Sequence, residues 1–393
     1  MGSTDIVVAG AGPAGLCFAR ALAGAGLRVT LVEPQPRQAL AEAAFDGREI
    51  ALTHASRQCL EGLGIWQRLP AAEVAELREA RVMDGHSPFA LTFASARDSA
   101  QPLGWLVPNH LIRRAAFDSI AALDEVTVLD SRRVVAVQPG QSQCRVTLDD
   151  GTTLHPRLLV AADSRFSATR RALGIGARMR DFGRSMLVCR MQVEHDHRHE
   201  AWEWFAHGRT MALLPLNNGQ ASAVITLPPR QIEALMALDE AALGRTISGF
   251  FEHRLGRMVP VARPVAYPLV GVHAQAFAAP RAALIGDAAV GMHPVTAHGF
   301  NLGLASQDRL SRLIRAQQTR GADIGAADLL ARYQRGHRRA SLPLYAATNA
   351  VATLYTDDRL PTRLVRAAGL RVAHGVRPFR QLIAHHLTQP VAR

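Results

Sequence analysis

The sequence of 393 residues predicts an α/β protein: a parallel-sheet domain, an inserted antiparallel sheet and a helical C-terminal region. Three observations support this. A glycine-rich turn follows the first apolar strand, two later apolar segments each end on an aspartate, and residues 181–227 alternate between apolar and polar side chains. The glycine-rich turn, together with the acid at the end of the second strand, and the two segments that end on an aspartate are called the three acid-tipped segments. Because parallel α/β sheets bind ligands at the carboxyl ends of their strands, we expect these three segments to meet at one edge of the sheet.

The first turn has the spacing of a Rossmann-like dinucleotide site. Four apolar residues lead into Gly10, Gly12 and Gly15, a helix follows, and the next strand ends on Glu33, 23 residues after Gly10. The glycines allow a tight turn, close approach of a pyrophosphate and close helix packing, and the acid can accept hydrogen bonds from a ribose. The candidate residues are Gly10, Ala11, Gly12, Pro13, Ala14, Gly15 and Glu33.

Two later segments repeat the strand-then-acid pattern. The strand at 158–162 ends at Asp163, and the strand at 282–285 leads into Gly286 and Asp287. A loop from His293 and a helix over about 301–317 come next, and the start of that helix offers further backbone donors. Three separated segments around one ligand predict FAD, a large and permanently bound dinucleotide.

Composition excludes several classes of function. The chain has no lysine, so lysine Schiff-base chemistry is ruled out. Its four cysteines are far apart, which argues against a disulfide framework or a thiolate metal site and favours a reducing cytoplasm. No apolar run is long enough to predict a membrane-spanning helix.

The positive charge is concentrated at the C-terminal end. Residues 309–393 carry a net charge of +11, out of +12 for the whole chain. Two interpretations remain open: a solvated helical surface, or a surface that meets an anionic membrane or a partner protein. Nucleic acid is disfavoured because no recognition motif accompanies the arginines.

Three histidines alternate at positions 195, 197 and 199. Alternate residues share one face of a strand, so a metal site is conceivable. No acid or cysteine cluster accompanies them. A polar hairpin is therefore the better interpretation, and no metal is predicted.

The remaining patterns divide the chain into three regions. Helices are predicted at 56–63, 110–122 and 230–257, and an arginine-rich helical region at about 326–390. The predicted regions are a discontinuous FAD-binding domain (1–72, 98–178 and 272–325), a β-rich substrate domain (73–97 and 179–271) and a C-terminal helical region (326–393).

These motifs, in this order, resemble the group A flavoprotein monooxygenases, which share the para-hydroxybenzoate hydroxylase fold. The resemblance narrows to the ubiquinone-biosynthesis hydroxylases, and within them to the subgroup called UbiM, through residues 45–53, 106–114 and 293–304. The chain departs from the family pattern at Ser164, where glycine is usual, and at 296–298, where Thr-Ala-His replaces Ala-Gly-Gln.

The resemblance implies a set of cofactor contacts. It implies that Arg48 and Asn109 line FAD, that Asp287 holds the ribityl chain, and that Asp163 lies where the flavin and nicotinamide sites meet. The start of the last long helix, at Gly299, Phe300 and Asn301, would face the flavin.

The resemblance also implies an activity. NAD(P)H, bound transiently, would reduce the flavin, and a flavin C4a-hydroperoxide would hydroxylate the aromatic ring of a prenylated phenol or quinol precursor of ubiquinone. The Pro294 carbonyl is a candidate for orienting the substrate hydroxyl. His298 is a candidate proton acceptor, although a structural hydrogen bond is the favoured interpretation. The expected location is cytoplasmic, with peripheral attachment at the inner membrane or to a biosynthetic complex through residues 309–393.

Three other functions stay open. The first is a flavin hydroxylase that acts on a soluble aromatic acid. The second is a flavin-dependent reductase of prenyl chains, which would need no oxygen. The third is a flavin-binding scaffold without turnover of its own.

Overall fold

The computed structural model describes residues 4–85, 87, 90–94, 101–206 and 208–356. The predicted helical continuation from residue 357 to about 390 lies outside the described residues, and so do 7 of the 15 arginines after residue 308. In the described part of the chain, no helix is both long enough and apolar enough to cross a bilayer.

Twenty-one strands are described, and most are short. In chain order they are β1 Ile6–Ala9, β2 Val29–Glu33, β3 Glu49–Leu52, β4 Ala75–Leu77, β5 Glu79–Asp84, β6 Ala90–Ala94, β7 Gly104–Pro108, β8 Val126–Asp130, β9 Val134–Pro139, β10 Cys144–Leu148, β11 Thr153–Leu154, β12 Leu158–Ala161, β13 Ala177–Val193, β14 Glu200–Ala206, β15 Arg209–Pro215, β16 Gln220–Leu227, β17 Met258–Pro260, β18 Val265–Ala274, β19 Ala278–Ala279, β20 Ala282–Leu284 and β21 Val290–Gly291.

Nine α-helices are described between these strands, with four short 3-10 turns. The helices are α1 Pro13–Ala21, α2 Arg37–Glu42, α3 His54–Gly62, α4 Asn109–Asp118, α5 Ala168–Ala172, α6 Pro229–Met236, α7 Glu240–Phe250, α8 Gly299–Thr319 and α9 Ala327–Thr356. The 3-10 turns are Trp66–Arg68, Ala71–Glu73, Gly286–Ala288 and Pro294–Thr296.

The main sheet has the strand order β19-β20-β12-β1-β2-β8. All its pairings are parallel except β19 with β20. Its central strands are fully apolar and buried, as a parallel sheet covered on both faces requires. The order places β1, β12 and β20 side by side, so the three acid-tipped segments meet at one edge, as the sequence predicts.

A nine-stranded sheet forms the second layer, in the order β21-β18-β13-β16-β15-β14-β5-β6 with β17 beside β13. The longest strand of this sheet is β13, and its pairing register with β18 shifts between Asp181 and Ser185. Early strands β5 and β6 join it because β5 pairs in parallel with β14. The predicted boundary at residue 271 falls inside β18, which continues to Ala274.

Smaller sheets complete the fold. The sheet β3-β7-β4 lies next to the site, and β9, β10 and β11 form a three-stranded sheet beside the main one. Not all of residues 73–97 therefore join the large sheet, because β4 pairs with β7 instead. The predicted helix over 230–257 is two helices, since Asp239 caps a new helix by accepting a hydrogen bond from the Ala242 N–H at 2.7 Å.

The long helix α9 is anchored to the main sheet by Tyr333. This side chain is fully buried, and its hydroxyl donates to the Leu284 carbonyl oxygen at 2.5 Å. The contact fixes α9 against β20, directly before the turn that carries Asp287.

We predict that Tyr333→Phe lowers the free energy of unfolding by about 1–2 kcal/mol, because the buried Leu284 carbonyl loses its partner. Urea denaturation followed by tryptophan fluorescence measures the change. Tyr345→Phe, at a half-buried position further along α9, is the matched control. An unchanged midpoint for Tyr333→Phe would show that the hydroxyl does not anchor the helix.

Candidate active site

Two glycines of the first turn are required by close packing. Gly10 has φ = +103°, and a Cβ there would lie 2.6 Å from the Ala162 carbonyl oxygen. A Cβ on Gly15 would lie 2.1 Å from the Gly10 carbonyl oxygen. Neither site accepts a side chain, so the start of α1 can sit directly against the ends of β1 and β12.

Gly12 differs, because the protein itself does not need it. Its φ is −71°, which any residue adopts, and a Cβ there would meet no atom within 4 Å. The open space lies at the N-terminus of α1, where unpaired backbone N–H groups and the helix dipole favour an anion. This cradle fits the pyrophosphate of FAD.

Glu33 stabilises the glycine-rich turn through hydrogen bonds to backbone N–H groups. One carboxylate oxygen accepts from the Ala11 N–H at 2.7 Å and the other from the Gln35 N–H at 3.0 Å. Each of these oxygens can accept a second hydrogen bond, so both contacts are compatible with a ribose hydroxyl at Glu33. Ribose binding by Glu33 stays a prediction.

The second acid lies directly beside the first turn. A Cβ on Gly10 would be 2.8 Å from the Cα of Asp163. The Asp163 carboxylate accepts from the Ser167 hydroxyl and, at 3.1 Å, from the Thr169 N–H. In the protein alone, Asp163 therefore orders the turn that leads into α5.

Ser164 occupies the position where the resembling family has glycine. Its φ is +146°, a conformation that side chains rarely adopt. The chain thus keeps the glycine-type backbone geometry with a serine, whose Oγ accepts from the Phe166 N–H at 3.2 Å.

The third segment contacts the first. Gly286 has φ = +59°, and a Cβ there would lie 3.0 Å from the Cβ of Ala14. A Cβ on Gly303 would lie 3.3 Å from the Cα of Gly286, so α8 also packs on this turn. Asp287 follows, and its carboxylate accepts from Arg165 at 2.9 Å. The structure therefore brings all three acid-tipped segments together.

Arg48 and Asn109 both donate hydrogen bonds to the carboxylate of Asp46, which was not predicted as a site residue. Asp46 accepts from Arg48 Nη2 and from Asn109 Nδ2, each at 2.7 Å. Burial would raise the pKa of Asp46, but Arg48 and Asn109 outweigh it and hold the pKa below its usual value. Tyr267 completes the group by donating to the Asp46 carbonyl oxygen at 2.6 Å. Neither Asp46 nor Tyr267 was predicted from the sequence as a site residue. For Asp46, the available signal was its position between Phe45 and Arg48.

The loop before α8 is held from two sides. Buried His293 accepts from the Val295 N–H through Nδ1 at 3.2 Å, and its ring stands against Phe182. Burial, with Arg180 nearby, lowers the pKa of His293 to about 4, so this imidazole is neutral at pH 7. Pro294 is exposed and His298 is half-buried.

Asn301 joins this loop to β3. Its amide nitrogen donates to the Ala51 carbonyl oxygen at 2.8 Å, and its amide oxygen accepts from the Thr53 N–H at 3.2 Å. Gly299 and Phe300 form the start of α8, where no side chain of the described residues caps the helix. The backbone donors of this first turn can bind the electron-rich edge of a flavin ring.

The predicted polar hairpin is wrong: the three histidines lie in the connection from β13 to β14, and β16 and β15 separate these two strands in the sheet. His197 is bonded to the Leu216 carbonyl oxygen at 2.9 Å and His199 to the Glu76 carbonyl oxygen at 3.2 Å. Within the described ranges, no group of three or more His, Cys, Asp or Glu side chains is arranged to hold a metal ion.

Comparisons with known proteins agree with this geometry. Residues 3–342 match the family described as FAD binding domain. The chain is 46% identical over 389 residues to the ubiquinone hydroxylase UbiM of Neisseria meningitidis, covering 98% of this chain and 84% of that protein. It is 33% identical over 382 residues to the ubiquinone hydroxylase UbiL of Rhodospirillum rubrum, covering 97% and 89%.

A solved structure shares the fold. The p-nitrophenol 4-monooxygenase PnpA of Pseudomonas putida superimposes with a TM-score of 0.78 at 17% identity, over 98% of each chain. At that identity the likeness establishes the architecture alone.

We predict that Gly12→Ala and Gly15→Ala separate cofactor binding from folding. Gly12→Ala should fold normally and lose most bound FAD, because its methyl group fills the cradle but contacts no protein atom. Gly15→Ala should lower the free energy of unfolding by about 3 kcal/mol or more, because its methyl group overlaps the Gly10 carbonyl. Flavin absorbance per polypeptide and urea denaturation measure the two effects.

Gly62→Ala in α3, where a Cβ also meets no atom within 4 Å, is the control for both measurements. Full FAD content in Gly12→Ala would contradict the assignment of the cradle.

We predict that Ser164→Gly raises the free energy of unfolding by about 1 kcal/mol, since glycine removes the strain at φ = +146°. Urea denaturation measures it. The control is Ser142→Gly in an exposed loop with ordinary φ, which should lower the free energy by about 0.5–1 kcal/mol through chain entropy. A loss of stability in Ser164→Gly would show that the Ser164 hydroxyl outweighs the strain.

Proposed function

The chain belongs to the FAD-binding-domain family and is an FAD-dependent monooxygenase, and on that premise we propose that it hydroxylates the aromatic ring of a prenylated precursor of ubiquinone. The observation that carries the proposal is the 46% identity, along 98% of the chain, to a protein named as a ubiquinone hydroxylase.

The cofactor contacts of this proposal follow the three converging segments. Gly10–Gly15 and Glu33 would hold the ADP half of FAD, and Arg48 and Asn109 would line the cofactor. Asp287 would hold the ribityl chain, and Asp163 would lie where the flavin and nicotinamide sites meet. Bound FAD supplies hydride acceptance from NAD(P)H and activation of O2. The protein itself binds and orients the cofactor and the substrate, and it keeps water out of the site.

The loop before α8 is the proposed place for the reacting ring. The Pro294 carbonyl oxygen accepts one hydrogen bond, from the Ala297 N–H at 2.8 Å, and retains a second acceptor position for a substrate hydroxyl. His298 lies four residues further on at the start of α8 and is the second candidate. Asn301, tied to β3, keeps both at a fixed distance from the flavin side of the loop.

The arginine-rich end is the proposed docking region for the inner membrane or a biosynthetic complex. In the described part, several arginines already have partners: Arg312 pairs with Asp308, Arg315 donates to the Ala21 carbonyl oxygen and Arg338 to that of Gln275. The support for docking is therefore the net charge of the chain end, where 7 of the 15 arginines after residue 308 lie beyond residue 356.

We predict that the purified protein is yellow and that a prenylated phenol such as 2-geranylphenol stimulates its oxidation of NAD(P)H more than 4-hydroxybenzoate does. The apolar prenyl group adds binding energy that the soluble acid lacks. Oxygen uptake and mass spectrometry of the product measure hydroxylation.

A deletion strain provides the control in the cell, because its quinone intermediates should lack a ring oxygen. Stronger stimulation by the soluble acid would favour a hydroxylase of soluble aromatics. A saturated prenyl chain formed without oxygen would favour a reductase, and no turnover with bound FAD would favour a scaffold.

A further inference from the structure

One arginine of the large sheet contacts both ends of a segment that is proposed to line FAD. The segment is residues 45–49, and it contains Arg48. Arg190 lies on β13, and its guanidinium carbon is 5.4 Å from the centre of the Phe45 ring. Its Nη2 donates to a carboxylate oxygen of Glu49 at 2.8 Å. A single side chain of the large sheet therefore holds the first and the last residue of the segment.

Such contacts decide where the segment lies, because residues 43–48 belong to no helix or strand. The middle of the segment rests on the same sheet: a Cβ on Gly47 would lie 3.4 Å from Val265 Cγ2 and 3.7 Å from Val188 Cβ. Val188 is two residues before Arg190 on β13, so both side chains point to the same face. The segment thus runs along one face of the large sheet, and both of its ends are at Arg190.

Arg190 is itself firmly held. Its Nη1 donates to Glu73 at 3.1 Å, so two carboxylates fix the plane of the guanidinium. The Glu49 side chain is fully buried, and that of Arg190 is 14% exposed, so salt screens this pair much less than a surface pair. Removing either partner would leave the other buried and unpaired, and the contact therefore resists separation of the segment from the sheet.

The segment is connected to two residues that are proposed to line FAD. Arg48 directly precedes Glu49, and its carbonyl oxygen accepts from the Asn109 N–H at 2.9 Å. At the other end, the Phe45 ring lies edge-on against His110, with ring centroids 5.3 Å apart, and His110 follows Asn109. A shift of the segment would therefore move Arg48 and Asn109 together.

We propose that Arg190 is a positioning residue for FAD: it fixes the two ends of residues 45–49 and thereby holds the Arg48 guanidinium against the cofactor. This rests on the contact between Arg48 and FAD that is part of the proposed function. Arg190 acts on the cofactor only through the segment. Because it belongs to β13, the large sheet and the cofactor site are mechanically coupled at this point.

The test follows the release of FAD from the loaded, full-length protein after dilution, measured as free flavin that passes a filter. Arg48→Met should speed release by about tenfold, because a charge-assisted contact with the cofactor is lost. Arg190→Met should speed release by a similar factor, although the substituted side chain does not touch FAD.

The double variant separates positioning from a general loosening of the fold. If Arg190 acts through Arg48, the combination of Arg190→Met with Arg48→Met releases FAD no faster than Arg48→Met alone. A merely structural role would multiply the two factors to about a hundredfold, and that result would overturn the inference.

A second variant covers the event that Arg190→Met does not fold, since it leaves Glu49 buried without its partner. Arg190→Met combined with Glu49→Met replaces both partners by apolar side chains, which buried ion pairs generally tolerate. It should fold, and it should release FAD about tenfold faster than the native protein. Release at the native rate from this folded variant would overturn the inference.

Arg281→Met is the matched control. The Arg281 side chain is 13% exposed, and it pairs with Asp323 at 2.6 Å just before β20, at the end of that strand away from Asp287. The variant should lower the free energy of unfolding, measured by urea denaturation, and leave FAD release unchanged. Faster release here would show that any lost buried ion pair loosens FAD, which would overturn the inference.

The two single variants distinguish this inference from the proposed function. Native release from Arg190→Met, together with faster release from Arg48→Met, would overturn the inference alone. Native release from Arg48→Met would overturn the proposed contact of Arg48 with FAD, and the inference with it.

Discussion

The site depends on one close backbone approach, between Gly10 at the end of β1 and the end of β12. A Cβ on Gly10 would lie 2.6 Å from the Ala162 carbonyl oxygen, so the two strand ends are in direct contact. Because they touch, the start of α1 lies beside Asp163, and Ala14 can in turn meet Gly286. Widening this contact by one methyl group would separate all three segments that surround the cofactor.

The edge where these segments meet could be predicted from the sequence because its signals are local. The glycines, Glu33 and the two aspartates each follow directly on an apolar strand. The contact of Tyr267 with Asp46 could not be predicted, because the two residues lie far apart in the chain and no local pattern encodes it. Residues 73–97 were expected in one domain with residues 179–271, but the parallel pairing of β5 with β14 could not be predicted for the same reason. Glu33 shows a different limit of prediction from sequence. Its distance along the chain from Gly10 is typical of a ribose-binding acid, yet the same distance also lets its carboxylate accept from the Ala11 N–H.

Two carboxyl groups three residues apart, Asp46 and Glu49, have pKa values shifted in opposite directions. Asp46 is half-buried, and the Arg48 guanidinium and the Asn109 amide beside it hold its pKa below the usual value, so it stays ionised. Glu49 pairs with Arg190 at 2.8 Å, yet its burial outweighs this pair and raises its pKa. Burial and the neighbouring charges, rather than the residue type, therefore decide the direction of each pKa shift.

The parallel pairing of β5 with β14 also has a consequence for biosynthesis. Glu79 pairs with Glu200, so the β5–β6 hairpin, complete at Ala94, is synthesised about 106 residues before its partner strand begins. Until then one edge of that hairpin has unpaired backbone groups, which invites association with other chains. Slow, late completion of the large sheet is therefore the expected weak step in the folding of this protein, and the nascent chain is most in need of chaperones between these two points.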